Sequence, residues 1–472
     1  MPFRLTLILV CFCSYFIFYC AESPQHTNIF DPDTENDAPQ IVEIKADLIQ
    51  KITDSKISFG WTESGDNDFY RYQIFRSDQP DVSTYSQRIA EHPYPFWTSV
   101  TDTGLQPNKS YYYRVYTEDK GGKITPTDPF QIMTAPKIFY MSRMINEGTI
   151  GSNDYYSKMD VVENGDNSYV FLGNVTVSWD LQLFFLTVNA NDPSDRGFWT
   201  LKNIISGDSD NDDAPDLYEI YYNFDPADPL SRPSELYAIS IPIPAQHILV
   251  YNDQNTSHVE IYIFFLRTDA LIVKINGDLN TNTFAIDTNW QDNGVWRLGF
   301  RGVSIAKLSS NQMVISSDNW IRIFTTDGTE QFNFQSDLFV GLITIGQDDS
   351  SGTKYIYATN WNGIIYKYDT NGTLLKSWVG FTQNTGHTSL IGMYADKKGN
   401  VFISDHGLNT VNRFNSNGAF LSRWYGNNQS FENNFSFGGS IGVAGHVSIS
   451  GDDRENIFIL DQTPYLYRTN IH

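Results

Sequence analysis

The sequence predicts an all-β protein in which a β-sandwich is followed by a β-propeller. Tyr, Phe and Trp together make up 15% of the 472 residues. Asn, Asp, Ser, Thr and Gly separate short apolar runs, a composition that favours strands and turns over helices. Between residues 40 and 135 the alternating runs recur at the spacing of a β-sandwich. After residue 136, units of roughly forty to fifty residues repeat, as they do in propellers.

The N-terminal segment is typical of a secretory signal. A predominantly apolar run extends from Leu5 to Tyr19 after a single Arg, which is short for a membrane span and typical of a signal peptide. All three cysteines lie in or at the edge of this segment: Cys11, Cys13 and Cys20. The exported part is therefore expected to lack internal disulfides. Residues 1–20 are predicted to be the signal peptide and residues 21–39, which are polar and acidic, a flexible linker.

The cysteine that ends the apolar run resembles the lipidated cysteine of bacterial lipoprotein signals. In that family the Cys becomes the first residue of the mature protein and carries the lipid, which implies lipidation at Cys20. The residue before it is Tyr19, where the family has a small residue. Plain cleavage and an uncleaved anchor are the alternatives. We expect an exported protein, either at the cell surface or secreted, that contacts a membrane only through this anchor.

A short motif identifies the predicted sandwich more closely. The stretch LQPNKSYYYRV resembles the tyrosine corner of fibronectin type III domains, with Leu105, Pro107 and Tyr111 at the corner. Trp61 lies where that family places its core tryptophan. The resemblance implies that residues 40–135 form a fibronectin type III-like domain, in which the tyrosine hydroxyl hydrogen-bonds back to the backbone.

The repeated units point to a particular kind of propeller. Residues 389–426, SLIGMYADKKGNVFISDHGLNTVNRFNSNGAFLSRWYG, resemble an NHL repeat, and related units occupy 301–334 and 340–380. The resemblance implies an NHL-like β-propeller over residues 136–472. The count favours seven blades, with six as the alternative if the unit that contains an acidic stretch is an insertion. The last unit has only three strands, so the strand at 137–143 is expected to complete it.

The acidic stretch GDSDNDDAPDLYE places six carboxylates in thirteen positions. Five of them have the spacing 1, 3, 5, 9 and 12 of a twelve-residue calcium loop: Asp208, Asp210, Asp212, Asp216 and Glu219. The spacing resembles the loops of thrombospondin type 3 repeats, dockerins and integrin-type propeller blades, which have Gly where this chain has Asp213. Oxygen-only ligands favour calcium over zinc or copper. The resemblance implies a structural calcium ion, and the alternative is a solvated acidic turn.

A second candidate metal site involves three histidines that precede innermost strands: His247, His387 and His446. If all three point at the propeller axis, they could hold zinc with an open position. NHL-type amidating lyases, which this part of the chain resembles, use such an axial metal. The enzyme alternative is therefore a lyase or lactonase. The sequence contains no nucleophile motif, phosphate loop or HExxH, which favours a role that is not enzymatic.

Charge and aromatic residues define the kind of partner. The net charge of −23 repels the phosphates of nucleic acids, so we expect no nucleic acid partner. Four aromatic residues on predicted loops could bind sugars or proteins, although core packing is the simpler explanation for each: Trp290, Trp296, Trp361 and Tyr425. The predicted function is an exported binding or scaffold protein that presents a propeller to a protein or glycan ligand and holds a structural calcium ion.

Overall fold

The computed structural model describes most of the chain between residues 38 and 470. The exceptions are 45–48, 137, 144–158, 176–180, 193–194, 196, 205–207, 209, 213, 223, 232–242, 245–246, 253–255, 266–268, 337–339, 348–350, 361–362, 381–389, 406–409, 426–447, 453 and 461–464. The described residues fall into two compact units. The first lies within Met1–Ile44, Gly60–Ser99 and Tyr112–Phe130, and the second within Lys45–Phe59, Val100–Tyr111 and Gln131–His472. Within the described residues, no helix has the length and apolar character needed to cross a membrane.

The first eight strands form two sheets. They are β1 (Ile49–Ile52), β2 (Lys56–Gly60), β3 (Phe69–Ser77), β4 (Gln87–His92), β5 (Ser99–Thr103), β6 (Ser110–Asp119), β7 (Ile124–Pro126) and β8 (Phe130–Met133). One sheet has the order β1-β2-β5, and the other has the order β4-β3-β6-β7, with β8 paired to β6. Alternate residues of β6 are buried in its first half, as expected for a strand with one face toward a core.

The predicted tyrosine corner is confirmed. The hydroxyl of Tyr111 accepts a hydrogen bond of 2.9 Å from the backbone N–H of Gln106. Leu105, which precedes Gln106 in the sequence, is buried. Trp61 follows β2 directly and is only 2% exposed. Its indole packs edge-on against Tyr72 with ring centroids 5.4 Å apart. These side chains have the packing roles that the fibronectin-like motif predicts.

Six further sheets, I to VI, lie in the second unit. Sheet I contains β10 (Asp160–Asn164), β11 (Asn167–Val175), β12 (Leu181–Asn189) and β13 (Phe198–Ile204), with β14 (Ile243–Pro244) paired to β11. Sheet II contains β15 (His247–Asn252), β16 (His258–Phe265), β17 (Leu271–Asp278) and β18 (Thr283–Ile286), with β19 (Val295–Arg297) paired to β17. Sheet III contains β20 (Ser304–Ser309), β21 (Gln312–Ser317), β22 (Trp320–Thr325) and β23 (Glu330–Gln335).

The other three sheets have four strands each. Sheet IV contains β24 (Val340–Gln347), β25 (Lys354–Asn360), β26 (Ile364–Tyr368) and β27 (Leu374–Val379). Sheet V contains β28 (Leu390–Ala395), β29 (Val401–Asp405), β30 (Thr410–Phe414) and β31 (Phe420–Tyr425). Sheet VI contains β32 (Ser448–Gly451), β33 (Asn456–Leu460), β34 (Tyr465–Asn470) and β9 (Ile138–Arg143).

The first strands of the six sheets contact one another in a closed cycle. The order is β10, β15, β20, β24, β28 and β32, and β32 contacts β10 again. Sheets arranged radially around a central channel are blades of a β-propeller. The propeller architecture predicted from the sequence is thus confirmed.

The sequence favoured seven blades, but the described residues of the propeller form six sheets. The difference comes from the unit that contains the acidic stretch. The apolar run before the acidic stretch belongs to β13, the outer strand of sheet I, and the run at the end of that stretch forms helix α1 (Asp216–Tyr222). A short apolar run flanked by turn residues does not by itself distinguish a strand from a buried helix. The arrangement corresponds to the six-blade alternative, with this unit as an insertion.

The turns within the blades use short polar side chains. The Oδ1 atom of Asp396 accepts hydrogen bonds from the backbone N–H of Lys398 and Asn400, at 2.9 and 2.7 Å. Asp452 makes the same pair of bonds to Arg454 and Asn456, at 3.0 and 2.8 Å. Such Asx turns satisfy backbone donors locally and reverse the chain between strands. These residues therefore have a scaffolding role.

The exchange of strands between the two ends of the propeller is also confirmed. The early strand β9 pairs antiparallel with β34, and Tyr465 lies opposite Arg143 in the register. Without β9, the backbone donors and acceptors of β34 would form an open edge.

Deleting β9 is therefore expected to destabilise the propeller. A chain that begins at Ser152 should melt at a lower temperature than one that begins at Pro136, because sheet VI then lacks its fourth strand. Thermal unfolding followed by circular dichroism measures the difference. Equal melting temperatures would contradict the role assigned to the exchange.

Candidate metal centre and binding surfaces

Helix α1 anchors the acidic loop to the apolar core. Leu217, Tyr218 and Ile220 are at most 3% exposed, and they belong to a cluster that includes residues of sheets I and II. Leu217 and Ile220 are three residues apart and therefore lie on the same side of the helix. Burial of these three side chains fixes the helix, and the helix in turn fixes the carboxylates that precede it and lie on it.

Three of the five predicted ligands lie together. One carboxylate oxygen from each of Asp208, Asp210 and Asp212 can be chosen so that all lie within 4.8 Å of one another. Hydrogen bonds from backbone N–H groups to the carboxylates hold the loop in this shape. Asp208 Oδ1 accepts from the N–H of Asp212 at 3.1 Å, and Asp212 Oδ1 accepts from the N–H of Ala214 at 2.8 Å. Partial burial raises the pKa of Asp210, and the neighbouring carboxylates of Asp212 and Asp208 add to the rise.

The other two predicted ligands, Asp216 and Glu219, lie on helix α1. The side chain of Glu219 is fully buried, and neither of its oxygens has a hydrogen-bond partner among the described residues. Burial, together with the negative charges of Asp212 and Asp210, raises the pKa of Glu219 to about 7. A buried carboxylate without a partner is costly unless a cation compensates it.

The donor set fits calcium. All five side chains offer oxygen, the ligand type that calcium prefers, and Glu219 supplies two oxygens that no described residue pairs with. The structure brings Asp208, Asp210 and Asp212 into one tight group but does not place Asp216 or Glu219 within it. Asp213 lies outside the described residues.

The histidines proposed as zinc ligands are only partly covered by the structure. His247 is half-buried at the start of β15 and borders the axial cavity. Its imidazole lies edge-on to Phe264, with ring centroids 5.9 Å apart. His387 and His446 lie outside the described residues, as does Cys20, so the axial zinc set and the lipidation site stay predictions.

The axial cavity has a volume of about 340 Å³ and is bordered by the first strands of all six sheets. Asp160 on β10 links three of these sheets. Its Oδ2 accepts a hydrogen bond from the N–H of Val250 in sheet II at 2.7 Å, and its Oδ1 accepts one from Ser450 Oγ in sheet VI at 2.9 Å. Loss of hydration nevertheless raises the pKa of Asp160 to about 6, against the lowering effect of these bonds.

The raised pKa of Asp160 gives an expected pH dependence. In the unfolded chain the pKa is the ordinary 3.8, so the ionised form is less favourable in the fold. The free-energy cost of ionising Asp160 in the fold is fully present above its pKa in the folded protein. It disappears as the pH falls toward the pKa of the unfolded chain. Between pH 7 and pH 5 the wild type should gain about 1 kcal/mol of unfolding free energy relative to Asp160→Asn. Urea titrations at both pH values measure it, and an equal pH dependence of the two proteins would contradict the assignment.

The loop aromatics proposed from the sequence have packing roles where the structure describes their side chains. Trp290 is buried, and its indole N–H donates to the carbonyl of Thr326 at 2.6 Å. Trp296 is half-buried and packs edge-on against Phe324, with ring centroids 5.0 Å apart. Trp361 and the side chain of Tyr425 are outside the described part.

An exposed aromatic cluster in the first unit was missed by the sequence analysis. Tyr94, Phe96 and Trp97 are 49%, 62% and 47% exposed. Tyr94 stacks on Phe96 at 5.4 Å and meets Trp97 edge-on at 5.0 Å between ring centroids. The sequence signal was available: HPYPFW follows a strand, and its two prolines mark a loop rather than a core segment.

The backbone beneath this cluster is fixed. The hydroxyl of the buried Tyr72 donates to the carbonyl of Pro95 at 3.1 Å, and the N–H of Trp97 donates to the carbonyl of Tyr94 at 3.1 Å. Trp97 also lies 5.9 Å from His92, centroid to centroid. The rings are thus held in place while they remain open to solvent.

Comparison with known proteins supports the type of the first domain. Residues 37–133 match the family described as fibronectin type III domain, so the chain contains a domain of this type followed by a propeller. No curated protein matches the chain. A protein of unknown function from Bacteroides thetaiotaomicron is 12% identical, with 93% of this chain and 99% of that one covered and a TM-score of 0.40. A streptogramin B lyase is 10% identical, with 71% and 97% covered and a TM-score of 0.37. A virginiamycin B lyase from Staphylococcus aureus with quinupristin is 10% identical, with 88% and 99% covered and a TM-score of 0.36.

Proposed function

We propose that the protein is an exported binding protein for a glycan, with a ligand surface on its fibronectin type III-type domain and a calcium-stabilised propeller. The observation that carries the binding role is the cluster of Tyr94, Phe96 and Trp97. Aromatic rings that remain about half exposed on a fixed loop leave apolar area in water, which marks interaction sites.

The size of the cluster favours a sugar over a protein partner. Three half-exposed rings offer roughly 300 Å² of aromatic surface. A stable protein interface needs about 800 Å² on each partner. One or two pyranose rings match the smaller area, because their apolar faces can lie on aromatic rings. The net charge of −23 also disfavours anionic partners.

The test is a glycan array probed with the full chain and three variants. We expect the wild type and Tyr85→Ala to bind the same glycan class, because Tyr85 is 98% exposed and is not part of the cluster. Phe96→Ala and Trp97→Ala should lose binding, and unchanged melting temperatures show that both variants are folded. If no glycan binds, or if Trp97→Ala binds as well as wild type, the proposed ligand class is wrong.

The calcium component is supported by Glu219, whose buried carboxylate has no hydrogen-bond partner among the described residues. Metal analysis of the protein, purified without chelator in the presence of calcium and zinc, should find calcium at one ion per chain. Zinc in its place would favour the axial histidine site.

Export is supported by the apolar segment from Leu5 to Tyr19. An intact mass that includes residues 1–19 would contradict cleavage.

A further inference from the structure

An acidic segment lies beside the exposed aromatic cluster at residues 94–97. Residues 61–66 have the sequence WTESGD and follow β2, whereas the cluster lies in the loop that precedes β5, the strand paired with β2. The N–H of Trp61 donates to the carbonyl of Thr98 at 2.9 Å. The two segments therefore lie side by side just beyond the ends of these strands.

A single hydroxyl group joins the same two segments further along. The hydroxyl of the buried Tyr72 accepts a hydrogen bond from the N–H of Ser64 at 2.7 Å and donates one to the carbonyl of Pro95 at 3.1 Å. Glu63 directly precedes the first of these backbone groups, and Phe96 directly follows the second. The backbones of Glu63 and Phe96 are thus held close together.

The carboxylate of Glu63 is available to a ligand. Glu63 is exposed and forms no hydrogen bond or ion pair with a described residue. In contrast, Asp66 Oδ2 accepts the hydroxyl of Ser64 at 2.7 Å and the N–H of Gln40 at 3.0 Å. Burial raises the pKa of Tyr72, and the negative charges of Glu63 and Asp66 contribute to the rise. Both carboxylates therefore lie within electrostatic range of the hydroxyl that holds the aromatic loop.

We propose that the glycan bound by the aromatic cluster carries free amino groups, as an oligosaccharide of glucosamine does. This inference rests on the glycan-binding function proposed above and names the class of sugar. The apolar faces of the pyranose rings lie on the half-exposed aromatic rings, and Glu63 pairs with an ammonium group beside them. Aromatic faces also attract cations, so the rings and the carboxylate favour the same charged group.

The local charge disfavours acidic sugars. Residues 61–66 and 93–98 contain two acidic and no basic side chains. The guanidinium of Arg71 is already paired with Glu91 and Glu118, at 3.1 and 2.6 Å. A uronic acid would therefore meet the unpaired carboxylate of Glu63 without a cation of the protein to compensate its own charge.

Oligosaccharides of equal length and linkage separate the amino group from the sugar ring. Calorimetry with the full chain, at mildly acidic pH and low ionic strength, compares hexamers of glucosamine, N-acetylglucosamine and glucose. The glucosamine hexamer should bind about tenfold more tightly than the other two, which carry no charge. Added salt should reduce this preference, because it screens an exposed ion pair.

Variants test the role of the carboxylate. Glu63→Gln should reduce the preference for glucosamine to about threefold or less. The control is Asp81→Asn, which removes the same charge from an exposed residue and should keep the preference. Asp81 precedes β4 and the cluster follows it, so the two lie at opposite ends of this strand. Equal melting temperatures of the wild type and both variants show that the variants are folded.

The outcomes distinguish this inference from the glycan-binding function on which it rests. Equal affinity of the wild type for the three hexamers, or equal effects of the two variants, would overturn the amino-sugar inference alone. The same conclusion follows if the hexamers do not bind but the glycan array shows binding of a sugar without amino groups. If no glycan binds in either experiment, both proposals are wrong, and binding of a lysine-rich peptide in their place would identify the partner as a basic protein.

Discussion

Removing calcium is expected to lower the melting temperature of the protein by a few degrees. An ion that binds the folded state and not the unfolded chain stabilises the fold by mass action. At a calcium concentration about a hundredfold above the dissociation constant, this stabilisation is about 2.7 kcal/mol. Asp208, Asp210 and Asp212 lie together on a loop that leads into helix α1, so the ion would hold this helix on the core of sheets I and II. Thermal scans in EDTA and in millimolar calcium measure the shift.

Glu219→Gln gives a sharper test than removal of an exposed carboxylate. The substitution keeps the size of a fully buried side chain and removes its charge. In EDTA the variant should melt at a higher temperature than wild type, because an unpaired buried charge has been removed. In calcium it should melt at a lower temperature, because a ligand is lost. The two melting curves thus exchange order when calcium is added.

Two further variants separate the ion from general charge effects. Asp210→Ala should abolish the response to calcium, since it removes one of the three clustered carboxylates. Asp228→Asn should keep the response, because Asp228 lies in the following turn, where its Oδ1 accepts the N–H of Leu230 at 3.1 Å. If the wild type melts at the same temperature in EDTA and in calcium, the loop is a solvated acidic turn.

Local features of the fold could be predicted from the sequence. The bond from Gln106 to Tyr111 depends on residues five positions apart, and the Asx turn of Asp396 is closed within four. The pairing of β9 with β34 spans the whole propeller, yet it followed from a missing strand in the last unit. Patterns of this kind are visible because each rests on local chemistry or on a repeat.

Features that depend on several strands could not be predicted. The environment of Lys307 requires that Tyr251 lies opposite Glu260 and that Tyr262 lies opposite Lys274 in the register of sheet II. Two neighbouring sheets must be placed before the Nζ of Lys307 on β20 is found 4.5 Å from the ring centroid of Tyr251. The buried position of Glu219 likewise depends on α1 being a helix, which its short apolar run does not establish.

Replacing Arg468 with alanine is expected to produce the largest loss of stability. The guanidinium on β34 is fully buried and lies at the junction of sheet VI with sheet I. Nη1 donates to the carbonyls of Asn189 and Asp192 at 2.9 and 2.7 Å, and Nη2 donates to that of Ala190 at 2.7 Å. These three carbonyls belong to the end of β12 and the turn that follows it, so one side chain joins the last blade to the first.

Arg468→Ala should cost about 3–5 kcal/mol of unfolding free energy, because it removes three hydrogen bonds from a charged donor and opens a cavity at the junction. Arg468→Lys should recover only part of the loss, since an ammonium cannot reproduce the planar set of donors. The control is Arg322→Ala in sheet III, where a partly exposed ion pair with Glu330 at 3.2 Å should be worth at most about 1 kcal/mol. Urea unfolding measures all three variants. A loss for Arg468→Ala no larger than that for Arg322→Ala would show that the ring is closed by strand pairing and apolar packing rather than by this side chain.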